Sequence, residues 1–110
     1  MDEATKQNYD DQRDQLKELI EINKAHERLM KNKDFKKLIL ENYILKECAR
    51  SVAMSVDPKV PQDVRASCLG MAQAAGYLKH YLQGVYQMTS RAEDDLLALE
   101  NHFDNYPTEE

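Results

Sequence analysis

Glycine and proline are scarce in this chain and confined to short stretches, and strand signals are missing altogether. Prolines occur only at positions 58, 61 and 107, and all three glycines fall within residues 68–88. No alternating β-branched run is closed by Asn-Gly or Asp-Gly, which excludes a sheet built from hairpins. No apolar run approaches the roughly 20 residues of a membrane span. The opening MDEATKQNYDD is too acidic and polar for a signal or transit peptide, so the expectation is a soluble protein of the cytoplasm. Only two cysteines are present. Cys48 and Cys68 stand on either side of a proline-containing turn among apolar neighbours, and we read them as reduced core thiols.

The constellations that catalysis needs are also missing. His26, His80 and His102 are far apart, and none belongs to an H-E-x-x-H or E-x-x-H pair. No Gly-rich phosphate loop or nucleophile elbow occurs. Glu93, Asp94 and Asp95 are consecutive, so on a helix they fan around the axis and chelate poorly. The expectation is a protein that is not an enzyme and that has no metal, cofactor or catalytic residue.

The net charge of −5 argues against general nucleic-acid binding. Charge is uneven: residues 1–30 carry eight acids and five bases, residues 31–60 four acids and seven bases, and residues 91–110 seven acids against Arg91 alone. The basic run KNKDFKK contains an acid and spans an expected helix junction, so it makes a poor phosphate site. The polar faces are mixed or acidic and lack the basic bias of a membrane-surface helix. Neither nucleic acid nor membrane is an expected partner.

What the chain does have is helical periodicity. At 110 residues, 32% charged and 42% apolar, it suits one domain, residues 1–110, built of slender helices. A first helix is expected over about 3–30, with Tyr9, Leu16, Asn23 and Met30 at heptad position a and Gln12, Leu19, His26 and Lys33 at d. Asp34 suits the N-cap of a second helix, about 35–56. That helix is rich in Leu, Ile, Val and Ala and reads as the centre of the fold. DPKVPQD ends it.

A third helix, about 61–103, carries the clearest pattern. Cys68, Ala75, Leu82, Thr89, Leu96 and Phe103 fall at a; Val64, Met71, Leu78, Val85, Ala92, Leu99 and Tyr106 fall at d. A frayed acidic end, 104–110, follows. The class is all-α: a three-helix antiparallel bundle or coiled coil with a long C-terminal helix. The third helix outlasts the second, so part of its seam must meet the first helix or another subunit.

Glycine inside a helix costs roughly 0.5–1 kcal/mol relative to alanine. Gly70, Gly76 and Gly84 therefore need a reason. They flank the a/d seam beside Tyr77, His80, Tyr81 and Tyr86. One reading is a protein interface, since tyrosine suits surfaces that are partly buried and partly wet. The other is close packing of the first helix within the chain. Leu96, Leu99 and Phe103 form a second candidate interface.

The run AHERLMKNKDFKKLILENYILKECAR, with HYLQGVYQMTSRAEDDLLALE after the proline turn, resembles a family of small helical proteins of short-tailed bacteriophages. That family combines a pattern LxxLxxNxDFKKVILxGY with a long helix bearing YLxxIxxMGxxAE. Leu29, Asn32, Asp34, Phe35, Lys36, Lys37, Ile39, Leu40, Tyr43, Tyr81, Leu82, Met88, Ala92 and Glu93 match, over residues 25–100. Thr89 stands where the pattern has glycine, and Asn42 where it has the glycine before the tyrosine. The resemblance implies a non-enzymatic structural or assembly protein of the virion, found there or in the infected cell's cytoplasm. Its partners would be further copies of itself and other virion proteins. The alternative is a small inhibitor that binds a host protein through its acidic or tyrosine- and glycine-rich surface.

Overall fold

The computed structural model describes residues 2–104. Tyr106, the last expected d position, and the acidic tail 105–110 lie outside the described residues. The fold is all-α, with three helices of which the third is long and bent, and no strand occurs among the described residues. The first is α1, Glu3–Lys31. The second comprises α2, Lys33–Phe35, a π-helical segment, Lys36–Glu47, and α3, Cys48–Ser55. The third comprises α4, Gln62–Thr89, and α5, Ala92–Asp104. The chain groups into two compact units, one of residues 1–26 and 85–110, the other of residues 27–84.

Side-chain caps set two of the helix starts. Asp2 Oδ1 accepts the Thr5 amide at 2.7 Å and opens α1. That amide holds the Asp2 carboxyl below its ordinary value. At the junction of the first two helices the cap is Asn32, not the expected Asp34. Asn32 has an extended backbone, φ −71° and ψ 123°, and its Oδ1 accepts the Phe35 amide at 2.9 Å. Asp34 lies two residues inside the helix, where its charge favours the positive N-terminal end instead.

The second helix departs from the expected α-helix. Between Lys36 and Glu47 its ladder closes on the fifth residue back, as where the Cys48 amide reaches the Tyr43 carbonyl. A π-helix has more residues per turn than an α-helix, and the apolar triplets centred on Ile39 and Ile44 lie five residues apart. In the unit of residues 27–84 the Cys48 thiol donates to the Ala72 carbonyl at 3.6 Å. Both cysteines are free thiols, Cys68 buried and Cys48 half-buried. The turn into α4 keeps both prolines outside helix, and Asp57 Oδ1 accepts the Lys59 amide at 2.9 Å.

In the unit of residues 1–26 and 85–110, α1 runs antiparallel to the end of the third helix. Tyr9 stacks on Phe103 with ring centroids 3.9 Å apart, Asn23 bonds Thr89, and His26 meets the Tyr86 ring at 5.9 Å. Each pair joins positions whose distances along the chain change in step, so one register holds from end to end. The third helix is not continuous as expected, because Ser90 and Arg91 form a turn. Just before it, the buried Thr89 hydroxyl donates to the Val85 carbonyl at 2.7 Å. Such back-bonding from threonine bends helices.

Candidate interaction surface

The heptad frame of the third helix describes burial from Leu78 onward, and before it holds at the a residues Cys68 and Ala75 but not at the d residues. Val85, Thr89 and Ala92 are buried, and Leu78, Leu82, Leu96, Leu99 and Phe103 are half-buried. Towards the start of α4 the buried residues are Cys68, Ala72 and Ala75, while the d residues Val64 and Met71 are exposed. The buried face has moved by one position there.

The unit of residues 27–84 consequently buries small side chains and exposes large ones. Its buried residues are Ser51, Cys68, Ala72 and Ala75. On the second helix, Leu38, Leu45, Val52 and Val56 are 63%, 62%, 47% and 73% exposed. The expectation that this helix centres the fold is thus corrected, since many of its large apolar groups face outward. Leu38 and Leu45 both lie in the π-helical segment, where a spacing of seven does not return to the same face, so the spacing that would align them on an α-helix does not do so here.

The predicted glycine and tyrosine residues sit largely on the same unit. Tyr77 is 75% exposed; Gly70, His80, Tyr81 and Gly84 are exposed, and Gly76 is half-buried. A Cβ added at Gly70, Gly76 or Gly84 would meet nothing within 4 Å. Within their own unit, no side chain packs closely on these glycines. Tyr86 belongs to the other unit, where it contacts His26.

Leu96, Leu99 and Phe103 also lie on that other unit, and α1 packs against them. Phe103 stacks on Tyr9, and with Leu99 it borders a pocket that includes Thr5, Gln12 and His102. Leu96 lines an open cleft of about 500 Å³ with Ile20 and Leu97 as its apolar floor. Lys17, Glu21, Lys24, Glu93 and Glu100 form its rim. The expected meeting of this seam with the first helix occurs, and Leu97 remains 59% exposed.

Charge divides along the same boundary. The unit of residues 1–26 and 85–110 has fourteen acidic side chains and five basic ones; residues 27–84 have six acidic and ten basic. Within the basic unit, Glu41 accepts from both Lys37 at 3.0 Å and Lys46 at 3.3 Å, and these hydrogen bonds hold its carboxyl below the ordinary glutamate range. Lys31 does the same to Glu27. Arg65 has a buried Nε with no hydrogen-bond acceptor.

Among the described residues no group of three or more His, Cys, Asp or Glu is placed to hold a metal ion, and no helix is long and apolar enough to cross a membrane. Two surface features remain: the exposed apolar side chains of the net-basic unit of residues 27–84, and the open cleft between α1 and α5, lined by three glutamates and two lysines. No protein-family model, curated protein or solved structure matches the chain.

Proposed function

We propose that this chain is a non-enzymatic structural or assembly protein of a tailed phage, associated with the virion and acting through helix–helix association. Its partners are further copies of itself and other virion proteins. One observation carries the reading: a unit that buries only Ser51, Cys68, Ala72 and Ala75 while exposing Leu38, Leu45, Val52, Val56, Tyr77 and Tyr81. Large apolar side chains left at the surface while only small ones are covered fit a unit that associates. The phage setting follows from the sequence resemblance over residues 25–100. Light scattering on the purified chain across a concentration series tests the association. A multi-chain species supports it, and a monomer at every concentration overturns it.

The acidic character of the other unit supports a second reading, a small inhibitor that docks on a basic surface of a host protein. It requires salt-sensitive capture of one host protein that is lost when Glu93, Asp94 and Asp95 are neutralised together. It also requires the chain to be missing from purified particles, which mass spectrometry of the particles decides.

A further inference from the structure

We infer that the cleft between α1 and α5 is closed by a second copy of this chain, related by a two-fold axis parallel to the helices, so that the α1 of each copy lies over the α5 of the other. This rests on the self-association proposed above and adds a surface on the unit of residues 1–26 and 85–110, with its symmetry. Two helical faces line the cleft: Lys17, Ile20, Glu21 and Lys24 on α1, and Glu93, Leu96, Leu97 and Glu100 on α5. Each set has the i, i+3, i+4, i+7 spacing that shares one side of an α-helix. The apolar floor of Ile20, Leu96 and Leu97 is incompletely covered, with Leu97 59% exposed. A second pair of helices would complete it as a four-helix bundle.

Charge decides how the pairs meet. The α1 edge of the cleft carries Lys17 and Lys24 with Glu21 between them, and the α5 edge carries Glu93 and Glu100. Among the described residues none of these five has an ion-pair partner. Two identical faces can meet in two two-fold ways. With α1 on α1 and α5 on α5, lysines oppose lysines and glutamates oppose glutamates, which costs affinity. With α1 on α5, a lysine edge meets a glutamate edge twice, once on each side of the axis, as in any isologous contact. The register agrees. Residues 9 and 103, 23 and 89, and 26 and 86 pair within the unit, each pair summing to 112, so Lys17 is level with position 95 and Glu93 with position 19. An axis parallel to the helices keeps those levels between copies. Glu93 of one copy then falls between Lys17 and Lys24 of the other, about 3 Å from the first and about 7.5 Å from the second along the axis, at about 1.5 Å per residue.

The test measures mass by light scattering across a concentration series, on the full chain and on three variants whose helicity is checked by circular dichroism. Lys17→Glu with Lys24→Glu makes both edges acidic, and Glu93→Lys with Glu100→Lys makes both net basic. The third variant combines all four changes and restores the contrast with its sign reversed. Each one-edge variant should need at least about tenfold more protein to assemble than the wild type, because like charges then face each other across the contact. An equal mixture of the two one-edge variants should assemble as the wild type does, and so should the quadruple variant alone. Wild-type assembly should weaken as ionic strength rises from about 0.01 M to about 1 M, where screening shortens from about 30 Å to about 3 Å. One-edge variants that fold and assemble like the wild type overturn this pairing and leave self-association standing on another surface. Should they fail to fold, a folded quadruple variant that stays monomeric where the wild type assembles overturns the pairing instead. A wild-type monomer at every concentration overturns both the pairing and self-association, and leaves the cleft to a helix of another protein.

Discussion

Asn23 of α1 and Thr89 of the third helix are joined side chain to side chain, the Asn23 amide Nδ2 donating to Thr89 Oγ1 at 3.0 Å. Thr89 is 1% exposed, and its own hydroxyl proton goes to the Val85 carbonyl at 2.7 Å. A polar pair at a buried seam position favours one register, because a slip of one turn would take the Asn23 amide away from its acceptor, whereas the Thr89 hydroxyl keeps its bond within the helix. It also lies immediately before the turn at Ser90 and Arg91, so one hydroxyl links the register of the pair to the bend of the helix.

Thr89→Val keeps the side-chain shape and removes the hydroxyl. It should destabilise the fold by about 1–3 kcal/mol, since the Asn23 amide loses its partner. Combining it with Asn23→Leu should recover much of that loss, because replacing both partners by apolar groups is often close to neutral. Urea unfolding of the wild type, both single variants and the double variant gives the coupling energy. A coupling near zero would mean that the bond contributes nothing to stability.

Tyr9 and Phe103 tie the first turns of α1 to the last turn of α5. Phe103→Ala removes the stack and part of a half-buried apolar surface, with an expected loss of about 1–2 kcal/mol. Amide exchange should quicken first in residues 96–104, which lie at the end of the chain's helical structure. Uniform exchange through α1 and α5 would show that the stack does not anchor this end.

Gly70→Ala, Gly76→Ala and Gly84→Ala should each raise the stability of the isolated chain by about 0.5–1 kcal/mol, because a new Cβ has open space and helical backbone entropy is reduced. Thermal melts at low concentration check this. Gly76→Leu should preserve most of the helicity and weaken assembly, read as a lower mass in light scattering. If the assembled mass is unchanged, the glycine stripe is not an interface.

Glu41 bridges Lys37 and Lys46 across the π-helical segment, and these bonds lower its proton affinity in the folded chain. A depressed carboxylate stabilises the fold above its unfolded pKa, so this contribution is present at neutral pH. It is lost as pH falls below the ordinary glutamate value of 4.5. Glu41→Gln should flatten that part of the pH–stability profile, measured by thermal melts from neutral pH down to acid. The effect is small, because the site is open to solvent and screened by salt.

Much of the fold was legible in one dimension. The period of α1, the stop at Pro58 and Pro61, and the seam from Leu78 to Phe103 follow from which residues are apolar and which cannot be helical. Local capping was legible only as a place, since Asn32 and Asp34 are both good caps and Asp34 was the one expected. The choice fell to Asn32 because its backbone is the extended one. Three features were not legible from spacing alone: the π-helical ladder of Lys36–Glu47, the shifted burial at Ala72, and the turn at Ser90. The shifted burial depends on what packs against the helix rather than on local preference. A helix buries whatever face its partner meets, so Met71 is exposed and Ala72 is covered although the heptad frame favours the reverse.

The sequence by itself determined that this protein is helical and rich in charge of both signs, because composition and periodicity act through the local backbone. Tertiary structure decided which stripes are covered. Small residues at Cys68, Ala72 and Ala75 are buried, Leu38, Leu45, Val52 and Val56 are left at the surface, and acids and bases gather on separate units. Those outcomes depend on contacts between segments distant in the chain, which no local preference of the backbone can set.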